Sequence, residues 1–164
     1  MKHLVFLALL SCLVFGVGSV QSKVPGKPPY VITTVSSANT NMADDILKLI
    51  NAYRRKKGLG ALSMNATMNA EALKHSENMA ARRTSFSHNG FQGRIKRISS
   101  SLNGVSNAAE NVAMGSTSAK QVVENWLNSP MHKNNIEGPY TLTGIGVAAD
   151  KKGVLYFTEI FVTN

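Results

Sequence analysis

Ile46, Leu49, Ile50 and Tyr53 recur at i, i+3, i+4 and i+7, which predicts one buried face of an amphipathic helix. The folded body is expected to begin near Asn41. Asp44 and Asp45 then fall in the first turn of this helix and Arg54 to Lys57 in its last, both favourable against the helix dipole. Gly58 is the expected stop. A second helix is predicted from about Ala66 to Ala81, with Met68, Ala72, His75 and Met79 as its stripe. A histidine in such a stripe reads as a hydrogen-bonded core residue. Gly93 to Ser101 reads as a short basic helix. Ser118, with Gln121 three residues on, opens a longer one as a capping box, and Val122, Val123, Trp126 and Leu127 supply its buried face. Ser129-Pro130 restarts the chain, Ser as N-cap and Pro at the first helical position. The short helix that follows carries His132 and ends near Gly138-Pro139.

Elsewhere the period changes to two. Val112 to Met114, Ile145 to Ala149 and Val154 to Val162 read as strands, with Asp150-Lys151-Lys152-Gly153 as a hairpin turn. Helices and antiparallel strands without a regular βαβ rhythm give an α+β class. Helices covering both faces of the sheet make it a three-layer α-β-α sandwich with a mixed, mainly antiparallel sheet.

The N-terminus follows another pattern. Met1-Lys2-His3 precedes an apolar run from Leu4 to Val17, then small and polar residues, the order of a secretory signal. Val20 and Ser22 suit cleavage after Ser22. The run is short of the roughly 20 residues that span a bilayer, so no transmembrane segment is expected. Residues 1–22 are thus read as a signal peptide, 23–40 with Pro25, Pro28 and Pro29 as a flexible spacer, and 41–164 as the domain. The one cysteine, Cys12, lies in the leader, so the mature chain has no disulfide. Leu9-Leu10-Ser11-Cys12 is a weak lipoprotein signal, because apolar residues follow it.

Charge changes the picture of partners. Eighteen Lys+Arg against nine Asp+Glu give +9, and losing Lys2 with the leader leaves 9 − 1 = +8. Such a charge serves solubility, or attracts anionic partners such as wall polymers or lipid heads. Arg54 to Lys57, Arg82-Arg83, and Arg94 with Lys96-Arg97 are short groups without interleaved aromatics, so nucleic acid is not an expected partner. The chain is expected to be a monomer.

Three polar spots carry candidate chemistry: Phe86-Ser87-His88-Asn89-Gly90, Ala109-Glu110-Asn111-Val112-Ala113, and Asn125-Trp126-Leu127-Asn128-Ser129-Pro130-Met131-His132-Lys133-Asn134-Asn135-Ile136-Glu137-Gly138. No H-E-x-x-H or C-x-x-C pair is present. His88 precedes a turn signal, Asn89-Gly90, and so belongs at the rim of an element. Glu110 enters an apolar strand and needs a partner. His132 sits at a helix start, where the dipole disfavours its protonated form, and a neutral ring is what a metal requires. Arg94 either anchors the His88 loop through a carboxylate or carbonyl, or stands solvated. Glu159 shares a strand face with Leu155, Phe157 and Phe161. It either joins the cleft as a second acid or forms a surface salt bridge. No G-x-S-x-G nucleophile occurs.

These three motifs, in this order, resemble the CAP superfamily: cysteine-rich secretory proteins, antigen 5 and plant pathogenesis-related class-one proteins. The resemblance is closest to its short secreted bacterial members and spans roughly Asp44 to Val162. It implies an α-β-α sandwich and a central cavity with two histidines and usually two glutamates, which binds divalent cations in some members. Carried over, the metal candidates are His88, Glu110 and His132. The slot of the second acid, three residues after Trp126, holds Ser129, and the match fails there. In the family pattern Asn134, Asn135 and Ile136 close the turn after His132. Asn111 is expected to bond backbone near Glu110.

Two imidazoles with open water positions suit zinc or another divalent cation. Glu110 is then a third ligand, a positioning group for a ring, or the candidate general base. Without a metal the three groups form a polar network joining loops. The leading expectation is a secreted binding module for a small amphiphile, lipid or wall polymer, with an optional cation. The alternatives are a metal-assisted hydrolase using the same cleft, and a basic extracellular interaction protein.

Overall fold

In a computed structural model of the chain, residues 37–164 are described. The leader, Cys12 and nearly all of the expected spacer lie outside them. A four-stranded sheet, ordered β1-β3-β4-β2, separates two layers of helices. Its strands are β1 (Ser63–Met64), β2 (Asn107–Met114), β3 (Leu142–Ala149) and β4 (Leu155–Thr163). β1 pairs parallel with β3, while β3 and β2 flank β4 antiparallel. The helices are α1 (Ser37–Lys56), α2 (Ala66–Ala80), α3 (Phe91–Leu102), α4 (Ala119–Leu127) and α5 (Pro130–Glu137).

Alternation along β4 assigns the two faces. Phe157 and Phe161, with Ile145 and Val147 of β3, meet Ile46 and Ile50 of α1 and Val122, Val123 and Trp126 of α4. Ile160 and Val162 point the other way, to Met68 and Ala72 of α2 and Ile98 of α3. On that second side Gly144 and Gly146 are bare because α2 lies against them. A Cβ on Gly144 would strike the Met68 backbone, and one on Gly146 the backbone of Ala72 and Leu73. Ser76 ties the same contact, its hydroxyl donating to Gly146 O (2.9 Å) and lying 2.8 Å from the hydroxyl of Thr158.

Several expectations shift. Helix α1 opens at Ser37, so Asp44 and Asp45 lie in its interior and not in its first turn. Its buried stripe is Ala43, Ile46, Ile50 and Arg54, and Leu49 is 37% exposed. Spacing alone favoured Leu49, but the sheet meets the helix along the neighbouring row. Arg54 leaves the basic surface altogether. Its guanidinium donates to Gly60 O, Ile136 O, Gly138 O and Tyr140 O, clamping the end of α5 onto α1. Ser118 caps α4 as expected, accepting from Gln121 N. The reciprocal bond moves one residue outward, Gln121 Oε1 accepting from Thr117 N at 2.7 Å. Ser129 holds the N-cap position of α5 and Pro130 its first turn, as expected, but Ser129 makes no side-chain cap bond. Strand β2 begins five residues before Val112, and Glu110 lies inside it, and β1 had no periodicity long enough to read.

Candidate functional site

Strand β2 is an outer strand of the sheet, and the three polar motifs meet along it. Glu110 and Asn111 point to opposite faces of the strand. Glu110 reaches the α3 side and Asn111 the α5 side, and each is buried. Asn111 Nδ2 donates to His132 O (3.1 Å), and Asn111 Oδ1 accepts from Asn135 Nδ2 (2.8 Å). Asn135 also reaches Glu110 O at 3.3 Å. Asn111 therefore does not bond backbone near Glu110. It holds α5 instead, because its side chain projects through the opposite face.

On the other face the carboxylate of Glu110 is fully engaged. Arg94 Nε donates to Oε2 and Nη2 to Oε1, both at 2.8 Å. His88 Nδ1 lies 2.9 Å from Oε1. A carboxylate held by two arginine nitrogens can only accept, so Nδ1 carries the proton and Nε2 faces outward. The side chain of His88 is 53% exposed, against 2% for Glu110, which puts the free nitrogen within reach of a ligand. Arg94 Nη1 also donates to Asn89 O (2.9 Å), fixing the turn after His88. Thus the anchoring role is the one Arg94 takes. Gly90, at φ 79°, is the left-handed N-cap that starts α3 and aims Arg94 back at β2.

His75 was legible as a core histidine, though not for what it holds. Its Nε2 donates to Ser87 O at 2.8 Å, pinning the His88 loop from below. Burial lowers its pKa from the ordinary 6.5, an effect the Ser87 carbonyl only partly offsets. His132 is half-buried, and burial, then the nearby charge of His88, lower its pKa from 6.5. Burial and His88, not the helix start, thus favour its neutral ring. His88, Phe91, Ala109, Glu110 and Asn135 line a shallow depression of about 220 Å³. Next to the two histidines in sequence stand two exposed apolar side chains, Phe86 (48%) and Met131 (79%).

Glu159 is in neither place foreseen for it. It is fully buried on the α1/α4 face, so it forms no surface salt bridge. Thr143 Oγ1 donates to its Oε1 at 3.2 Å, and Oε2 has no partner among the described residues. Burial pushes its pKa up to about 8.

Zinc normally takes four ligands. With Glu110 occupied by Arg94 and His88, the cleft offers a cation Nε2 of His88 and the ring of His132. Among the described residues no three of His, Cys, Asp and Glu stand together as a metal-holding group. The donor set fits a divalent cation poorly.

A sheet between two helical layers, with these motifs gathered on its β2 edge, defines a CAP-type domain. The profile of the cysteine-rich secretory protein family (CAP) matches residues 47–162, and the chain belongs to that family. It is 30% identical over 145 residues to the uncharacterized protein YkwD of Bacillus subtilis, covering 86% of this chain and 55% of that one. It is 33% identical over 126 residues to the uncharacterized membrane protein YlbC of the same organism, covering 75% and 35%. The chain thus spans about half or less of the length of these relatives. Among solved structures it is similar to a cysteine-rich secretory protein of Staphylococcus aureus, with TM-score 0.64, 22% identity and coverage of 79% and 41%. It is also similar to an outer surface protein of Borrelia burgdorferi, with TM-score 0.64, 23% identity and coverage of 74% and 93%. At these identities the likeness bears on the fold alone.

Proposed function

We propose that this chain is an extracellular binding module whose β2-edge cleft takes the polar head of a small amphiphile. The observation that carries the reading is the exposure of two apolar side chains close in sequence to the cleft histidines, Phe86 two residues before His88 and Met131 one before His132. An amphiphile would lay its apolar part on them and present its head to His88 Nε2 and the neutral His132. The engagement of Glu110 supports binding over catalysis. Both of its oxygens are already held by Arg94 and His88, which leaves neither turned to a ligand. The signal-like leader supports an extracellular site of action.

The test is titration of the full chain with cis-parinaric acid, a fluorescent fatty acid, with and without chelator. Saturable binding is expected, insensitive to chelation. Removing either apolar contact, by Met131→Ser or Phe86→Ser, should weaken it about tenfold. Absence of saturable binding, or equal binding by both variants and His132→Ala, overturns the reading. Ester turnover lost on chelation and in a folded Glu110→Ala variant would replace it with the hydrolase.

A further inference from the structure

Helix α2 ends in a turn whose central residue is at odds with its conformation. Arg82 N donates to Met79 O (3.0 Å) and Arg83 N to Asn78 O (2.8 Å). These two bonds are the Schellman ending, in which the left-handed position is usually glycine. Here it is Arg82, at φ 56°. A left-handed backbone is strained for an L side chain and free for glycine, so the fold gains nothing locally from this arginine. Such an outlier points to a use for the side chain.

Arg82 faces the β3–β4 turn. With Ala80, Ala81, Asp150, Lys151 and Lys152 it lines an open groove of about 520 Å³. Arg82, Lys151 and Lys152 are all exposed, and none is in an ion pair among the described residues. Asp150, the one acid in the lining, turns its carboxylate inward to accept from Lys152 N (2.8 Å) and Val154 N (2.9 Å). Lys152 also lines a second depression of about 370 Å³, with Gly115, Ser116, Thr117 and Gly153. The two share Lys152, and together they run as a track from Arg82 past Lys152 to the exposed Thr117, while Ser116 is buried and bonded by Asn125.

We infer that this track binds an anionic polymer with repeating phosphate groups. Its cations come from two separate elements and none is enclosed, so a single small anion would stay hydrated. A chain of regularly spaced charges can meet all three at once. The floor of Ala80 and Ala81 leaves room for a polymer backbone. No aromatic ring lines the groove, which disfavours bases stacking there. The chain's charge of +9 adds long-range attraction. The track shares no lining residue with the β2-edge cleft, so either site can fail without the other.

The probe is inorganic polyphosphate, titrated into the full chain by calorimetry at low and at physiological salt. The Arg82→Gly/Lys151→Gln/Lys152→Gln variant should bind about tenfold more weakly, the sum of three exposed ion pairs. An Arg55→Gln/Lys56→Gln/Lys57→Gln variant loses the same charge elsewhere, and at physiological salt, where long-range attraction is screened, should bind as the parent does. Arg82→Gly alone should weaken binding while leaving Tm unchanged or higher. Equal loss in both triple variants would reduce the effect to net charge and overturn the proposal. So would a lower Tm for Arg82→Gly with unchanged binding. Tighter, groove-dependent binding to phosphatidylglycerol vesicles or to duplex DNA than to polyphosphate would also overturn it, assigning the track to a membrane or to nucleic acid.

Discussion

Arg94 and Glu110 meet side-on, two nitrogens against two oxygens at 2.8 Å, with 6% and 2% of their side chains exposed. This buried pair is the pivot of the cleft, because the same arginine fixes Asn89 and the same carboxylate fixes His88. Removing one partner strands a charge in the interior. Arg94→Ala is expected to cost about 3–5 kcal/mol in urea unfolding. Arg94→Lys should recover little of it, since one ammonium cannot match both oxygens. A loss below about 1 kcal/mol for Arg94→Ala would show that the pair is not the anchor.

The bare patch on β3 makes a second prediction. Gly146→Ala drives a Cβ into the backbone of Ala72 and Leu73, which no side-chain rotation relieves. The expected cost is about 3 kcal/mol or more. Gly58→Ala is the contrast, since a Cβ there meets nothing within 4 Å and only its φ of 72° is at issue. Thermal melts of the two variants should therefore separate clearly, with Gly146→Ala the lower.

His75 and His132 make stability depend on acidification. Both have folded pKa values below the ordinary 6.5, so the unfolded chain takes up protons first as pH falls. Their contribution is present above pH 6.5 and is lost as pH falls through the lowered values. In a Glu159→Met background, which lacks the opposing slope of that buried carboxyl, melting temperature should drop between pH 7 and pH 5, and adding His132→Gln should flatten part of that drop. A pH-independent Tm across this range would contradict the shifts.

Glu159 acts with the opposite sign. Its pKa rises from 4.5 unfolded to about 8 folded, so its stabilising proton is held fully below pH 4.5. Stability is lost as pH rises from there to about 8, and is flat beyond. Replacing it with an apolar side chain of similar length, Glu159→Met, should remove that slope. It should also stabilise the fold at pH 9 by an amount on the order of a few kcal/mol. Melts of parent and variant at pH 5 and pH 9 check both the sign and the window.

The periodic helices were legible because each buries one stripe, as Met68, Ala72, His75 and Met79 do on α2. Leu49 was misread, since spacing fixes a helix's apolar arc but not which row the neighbouring layer covers. The cleft residues His88, Glu110 and His132 were legible from local context and from the family pattern. Their partners were less so. Sequence admits Arg94 equally as a solvated cation, and only the turn at Gly90 aims it at Glu110. Arg54 read as one of four surface cations, although its alignment with Ile46 and Ile50, eight and four residues earlier, was a signal that it faces inward. Asn135 and Asn111 bond across 24 residues, a separation that periodicity cannot reach. Glu159 sits where alternation put it, and its face is apolar for reasons of packing in three dimensions.

The clasp of α5 on β2 has a consequence for how the molecule keeps to itself. An outer strand offers unpaired backbone groups to any other strand that meets it, which is a route to aggregation. Here Asn135 occupies the carbonyl of Glu110, and the helix it belongs to is tied down again by Asn111 and Arg54. The residues that shape the cleft thus also occupy part of the β2 edge. Remodelling the cleft for a new ligand would therefore loosen a guard against self-association, and variants of Asn111 and Asn135 should be recovered less as soluble protein before they are recovered less as binders.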